Sequence, residues 1–208
     1  MLNSLRLFFV LLTVCPTLSW YPYDFVTIPM QQNGVIPDVV PANPSFHPQA
    51  LLFVIFPTGP ALLGNTLNST SSLTPPTVSF TPMKDEAIYT IVMTDPDAPT
   101  RENQTYGQYR HWLATGVRPP KGVDDSAEFT QPDTTAYLSP NPPAGSGSHR
   151  YVLLLYREPS VNFTIPTDAI ENGSDFNSRR NWNATIFAAS YDLELVAANF
   201  FYVSGAQQ

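Results

Sequence analysis

The run "YTIVMTDPDAPTRENQTYGQYRHWL", Tyr89 to Leu113, passes from strand to corner and back to strand. Its apolar and β-branched opening gives way to two aspartates, two prolines and an arginine within the seven residues Asp95 to Arg101. Proline fixes φ at about −65° and biases the residue before it toward extended geometry, so Asp95 and Ala98 are stiffened and neither carboxylate swings freely into solvent. Asp-Pro turns also use the aspartate to cap their own backbone, so one of Asp95 and Asp97 is expected to be structural. A second corner, "SPNPPAGSGSHRYVLLLY" from Ser139 to Tyr156, sets prolines and glycines ahead of a histidine, an arginine and another strand. The two corners are expected to face each other.

Elsewhere the chain reads as mostly β. Its 22 prolines are spread throughout, which opposes long helices and favours short strands joined by fixed turns. Runs bounded by Pro, Gly, Asn or Asp predict strands over Ala50–Phe56, Glu86–Thr94, Tyr109–Val117, Arg150–Glu158 and Leu193–Val203. Asp175–Leu193 fits one short helix, with Asp175 or Asn177 as its cap. Asn65–Thr77 is a polar loop, and no repeat or linker divides the chain.

The N-terminus has the layout of a secretory signal peptide: Arg6, an apolar run from Leu7 to Cys15, then Pro16 to Ser19 as a cleavage end. Residues 1–19 are therefore expected to be removed, leaving 20–208 as one domain. The apolar run is well short of the roughly 20 residues a transmembrane anchor needs. Cleavage would take away Cys15, the chain's one cysteine, and with it any disulfide, thiolate metal site or thiol nucleophile. The formal charge of −7, with no basic cluster, argues against nucleic acid as a partner. Arg179–Arg180 reads as a solvated surface pair. Five Asn-x-Ser/Thr sequons, at Asn68, Asn103, Asn162, Asn172 and Asn183, fit a glycoprotein that is secreted or held in the secretory lumen. No His, Asp or Glu cluster has metal-ligand spacing, no Gly-x-Ser-x-Gly elbow is present, and no cofactor is called for.

"DPDAPTR" at Asp95–Arg101 with "YRHWL" at Tyr109–Leu113, followed by "GSGSHRY" at Gly145–Tyr151, resembles the paired signatures of the phosphatidylethanolamine-binding protein family. That family includes animal kinase-inhibitor proteins, plant flowering regulators and a yeast carboxypeptidase inhibitor, and the resemblance spans most of the chain beyond the leader. It implies a β-sandwich of antiparallel sheets with one or two short helices and one small anion-binding pocket. It carries pocket roles onto Asp95, Tyr106, His111, Pro143, His149 and Tyr151, with Asp97, Gly145 and Gly147 shaping the mouth. Three departures stand out: Arg110 where animal members carry histidine, Ser148 in place of a leucine, and no C-terminal helix over the mouth.

The residues themselves suggest how such a pocket would work. Strand alternation places His149 and Tyr151 on one face with Arg150 on the other, and His111 with Leu113 opposite Arg110 and Trp112. Gly145 and Gly147 would permit positive φ and a backbone N–H nest for an anion. Arg101 and Arg150 are expected to pair with carboxylates. The leading functional expectation is a secreted module binding a small anion, phosphate or carboxylate, such as a phospholipid headgroup or a dicarboxylate metabolite. The alternative, from fungal secretory members of the family, is a biosynthetic catalyst joining or cyclising anhydride or dicarboxylate intermediates of maleidride type. There His111 or His149 would move a proton with an aspartate such as Asp97 orienting the ring. A carboxypeptidase inhibitor ranks third, because that role uses an N-terminus that signal cleavage would remake.

Overall fold

Proline-bounded apolar runs become strands throughout the computed structural model, which describes residues 23–81, 87–122 and 124–206; the expected signal peptide lies outside these. In chain order the described strands are β1 (Leu52–Phe56), β2 (Gly59–Ala61), β3 (Thr77–Phe80), β4 (Tyr89–Asp95), β5 (Tyr109–Arg118), β6 (Glu128–Phe129), β7 (Ser148–Arg157) and β8 (Glu194–Ser204). They form two antiparallel sheets, one ordered β2-β1-β3 and the other β6-β5-β4-β7-β8.

The sheets pack face to face. β1 and β3 contribute Val54, Phe56, Val78 and Phe80, which meet Ile91, Met93, Leu153, Leu155 and Phe201 of the larger sheet. Edge-on ring contacts lock the interface, Phe56 on Phe201 at 5.2 Å and Phe80 on Tyr89 at 4.9 Å. Buried Asn199 of β8 stitches the same seam by donating to the carbonyls of Leu52 and Ala61. The larger sheet's other face holds Val92, Leu113, Val152, Leu154 and Phe200, covered by short helical segments. Being covered on both sides, β4 is buried at every residue, so Ile91, Val92 and Met93 follow one another without polar alternation, and its buried Thr90, Thr94 and Asp95 all hydrogen-bond.

The mostly β sandwich expected from the sequence is the fold observed. Local details differ. Two N-terminal helices, α1 (Thr27–Gln32) and α2 (Val35–Asp38), cover the sheet where no helix was expected. The helix expected over Asp175–Leu193 is two, α3 (Phe176–Arg179) and α4 (Ala184–Ser190). Asp175 caps α3 and Asn183 caps α4, each accepting two backbone N–H groups, and Asn181 between them sits at φ 54°. Asn177 is a donor to the Asp175 cap and caps nothing itself.

Strict alternation also fails in β5. Met93 pairs with Trp112 and Thr94 with Arg110, so His111 is the extra residue of a β-bulge. Trp112 consequently joins the inter-sheet core and Leu113 the helix-covered face, while His111 sits against Tyr151 on the Trp112 side. His111 and Leu113 therefore do not share a face, and it is the bulge that aims His111.

Arg179 is not a solvated residue. It is buried, donating to the carbonyls of Ser174, Arg110, His111 and Ala136, and burial holds its pKa below the ordinary value. A guanidinium can serve several carbonyls from one position, so this cation fastens α3 to β5 and to the segment at residue 136.

Finally, the outer edge of β8 is covered. Gly64 and Leu67 donate to the carbonyls of Phe200 and Tyr202, Tyr202 donates to Asn65, and Gln49 and Ala50 both donate to Val196.

Candidate ligand pocket

The two corners do meet, and charge holds them together. Asp97 is fully buried and accepts from the Arg150 backbone N–H at 2.9 Å, from Nε at 2.9 Å and from Nη2 at 2.6 Å. Burial pushes the Asp97 carboxyl up, but the Arg150 hydrogen bonds outweigh it and hold the group below its ordinary value. Arg150 also reaches Asp38 Oδ2 at 2.8 Å and the Asn33 carbonyl at 3.0 Å, so a single side chain joins both corners to the N-terminal helices. Arg101 has a smaller part, donating to the Asn33 carbonyl rather than to a carboxylate.

Asp95, two residues earlier, works differently. Its Oδ1 accepts the Asp97 N–H at 2.7 Å and its Oδ2 meets His149 Nδ1 at 2.8 Å. The buried Tyr151 hydroxyl is hydrogen-bonded to the same carboxylate and to the Asn141 backbone, and burial, then Asp95, push its pKa well up. His149 Nε2 lies 3.0 Å from Ser146 Oγ, whose own proton goes to the Pro143 carbonyl at 2.7 Å. Ser146 can therefore only accept from the ring, so Nε2 carries a proton. On its other side the ring is held by the Asp95 carboxylate through Nδ1.

His111 is the complement. Nδ1 donates to the Leu138 carbonyl at 2.9 Å, and burial lowers its pKa, opposed by the charge of Asp95. The other ring nitrogen then keeps its lone pair. The base of the site thus offers one imidazole N–H, from His149, and one imidazole lone pair, from His111.

Above these groups opens a cavity of about 360 Å³ lined by Asp95, Tyr106, Tyr109, His111, Leu138, Asn141, Pro143, His149, Tyr151 and Phe176, among others. Of the residues singled out from the sequence, Asp95, Tyr106, His111, Pro143, His149 and Tyr151 come together here. Asp97 does not line the cavity, because Arg150 takes its carboxylate. Asp95 is the aspartate that holds an imidazole, so the orienting role expected of Asp97 falls to it. Gly145 and Gly147 have positive φ, 76° and 80°, but neither lines the cavity. The Gly145 N–H goes to the Ala206 carbonyl and the Ser146 N–H to Pro143, so these two donors are not presented to a ligand. Arg110 points away, bonded to Thr135 and to the carbonyls of Ile170 and Gly173, with burial bringing its pKa down to about 10.

Sequence reasoning missed Tyr109, Leu138, Asn141 and Phe176. Tyr109 and Asn141 lie inside the two corner motifs and were within reach. Phe176 arrives from α3, distant in sequence, and forms an aromatic rim with Tyr106 at 5.2 Å and Tyr109 at 5.9 Å. Among the described residues no group of three His, Cys, Asp or Glu side chains could hold a metal ion.

Known proteins share this sequence pattern and fold. The chain is 28% identical over 207 residues to the carboxypeptidase Y inhibitor of Saccharomyces cerevisiae, covering 83% of this chain and 91% of that protein. It is 30% identical over 176 residues to a 26 kDa secreted antigen of Toxocara canis, covering 84% of this chain and 62% of the antigen. A crystal structure of carboxypeptidase Y inhibitor complexed with its cognate proteinase superposes with a TM-score of 0.73 at 26% identity, over 88% of this chain and 96% of that one. The sequence profile of the phosphatidylethanolamine-binding protein family matches residues 57–201, and the chain belongs to that family.

Proposed function

We propose that this protein is a secretory-pathway binding module that takes a small anionic group, phosphate or carboxylate, at the base of the cavity. The supporting observation is the Asp95–His149 couple: a carboxylate holds Nδ1 and leaves a protonated Nε2 satisfied only by the Ser146 hydroxyl, a partner that an anion oxygen outcompetes. The signal-like leader, with cleavage near Ser19, and the sequons support a glycosylating compartment. Calorimetric titration of inorganic phosphate and of succinate into the mature chain tests this. Binding that His149→Gln weakens about tenfold or more supports the reading; binding unchanged in both His149→Gln and His111→Gln overturns it.

Resemblance to the yeast inhibitor favours a second reading, in which the module also blocks a carboxypeptidase. Inhibition of carboxypeptidase Y by the mature chain at stoichiometric concentration is its test, and full peptidase activity in the presence of excess chain rejects it. A catalytic version, acting on anhydride or dicarboxylate intermediates, would use the His111 lone pair as base and His149 as acid. It requires turnover that disappears in His111→Gln while binding persists.

A further inference from the structure

We propose that Arg180 is a second anion anchor at the pocket mouth, and that the ligand it selects carries two anionic groups joined by an apolar spacer. This rests on the pocket reading above and extends it to the class of ligand.

Arg180 follows directly after α3, where its backbone N–H is fixed to the Phe176 carbonyl. The next two residues are pinned as well: Asn181 donates to the Tyr106 carbonyl and Trp182 to the Gln108 carbonyl. The guanidinium carbon stands 5.4 Å from the Phe176 ring centroid and 6.0 Å from that of Tyr106, both cavity-lining rings. Cation–π contacts on two faces fix the cation's position over the rim. Its charge is not spent elsewhere, for no described carboxylate lies within ion-pair distance of it, whereas Arg150 has Asp97 and Asp38, and Arg157 has Glu194. A planar fork of donors is left facing water, the geometry that binds carboxylate or phosphate in two-point fashion.

Between this cation and the base of the site runs an unbroken aromatic path. His111 lies 5.2 Å from Tyr109, Tyr109 lies 5.9 Å from Phe176, and Phe176 lies 5.4 Å from the Arg180 guanidinium. Leu138 and Pro143 add apolar wall. A ligand with one anionic end at His149, hydrocarbon or aromatic body along Tyr109 and Phe176, and a second anionic end on Arg180 would match every part of this path. A monoanion uses only half of it.

The test compares succinate, suberate and dodecanedioate with the monocarboxylates butyrate, octanoate and dodecanoate by calorimetry, on the wild-type chain and on Arg180→Gln. Arg180 is exposed, so the variant is expected to fold, and an unchanged thermal midpoint checks that. One of the longer diacids should bind about tenfold more tightly than its monoacid, and Arg180→Gln should abolish that preference while leaving inorganic phosphate affinity unchanged. The preference should also shrink as salt rises from low to physiological concentration, since the cation is solvent-facing. A diacid preference that survives Arg180→Gln, or none at any length while phosphate binds normally, overturns the anchor and leaves the pocket reading intact. If phosphate binding is indifferent to both histidines, the pocket reading itself has failed.

Discussion

Asp95 and Asp97 are two residues apart with the same side chain, yet their roles diverge completely. Asp97 is locked to Arg150 and acts as a structural rivet, whereas Asp95 faces the cavity and holds the Nδ1 side of the His149 ring. Arg150→Ala would leave Asp97 charged, buried and unpaired, and is expected to lower stability by about 3 kcal/mol or more, read from urea midpoints at neutral pH. Asp97 also gives the fold a defined acid sensitivity. Because its folded pKa lies below the ordinary 3.8, its stabilisation is complete above that value and is lost as pH falls through the depressed folded pKa. Asp97→Asn should be less stable than wild type at pH 7, and the gap between the two should narrow in urea titrations below pH 3.8. A gap independent of pH would mean another carboxylate controls acid unfolding.

Among the elements, the corner after β4 and helix α3 carry the strictest requirements. An added Cβ at Gly107 would stand 2.3 Å from the Pro96 carbonyl oxygen, so Gly107→Ala cannot seat the chain between the first corner and β5 without moving backbone. A loss of about 1–3 kcal/mol in thermal or urea unfolding is expected, together with weaker phosphate binding. Arg179→Lys should cost about 2 kcal/mol, since one ammonium cannot serve the four carbonyls that the guanidinium holds. A neutral result would show those contacts to be dispensable. These two cases also show what a sequence can and cannot disclose. The five long strands were legible because apolar runs between prolines have one economical reading, and the pocket because its polar residues lie in two short motifs. The facing of His111 was not legible, since a single-residue bulge leaves no mark on composition. Arg179 was misjudged because adjacent arginines look alike until tertiary contacts bury one and expose the other. Phe176 had no local signal at all; only the packing of α3 brings it to the rim.

For the whole molecule, compartment and surface chemistry make a joint prediction. Asn68, Asn103, Asn162, Asn172 and Asn183 are all exposed, but their side chains are engaged differently. Asn68, Asn103 and Asn183 use Oδ1 as an acceptor, which leaves Nδ2 for a glycan, whereas Asn172 Nδ2 already donates to the carbonyls of Pro166 and Ala169. Intact mass of material expressed in a eukaryotic host should show glycans, with Asn183→Gln lowering the mass by one glycan and Asn172→Gln leaving it unchanged. An unmodified product that retains Met1 to Ser19 would contradict the proposed compartment. The covered edge of β8 bears on how the molecule meets partners. With the loops at residues 49–50 and 64–67 already bonded along that strand, the described part of the β8 edge leaves little vacant ladder on which a foreign strand could grow. Fibrous stacking through that edge is opposed for the same reason. A contact on that side of the molecule falls to projecting loops, where affinity is set by side-chain chemistry that can be altered one residue at a time.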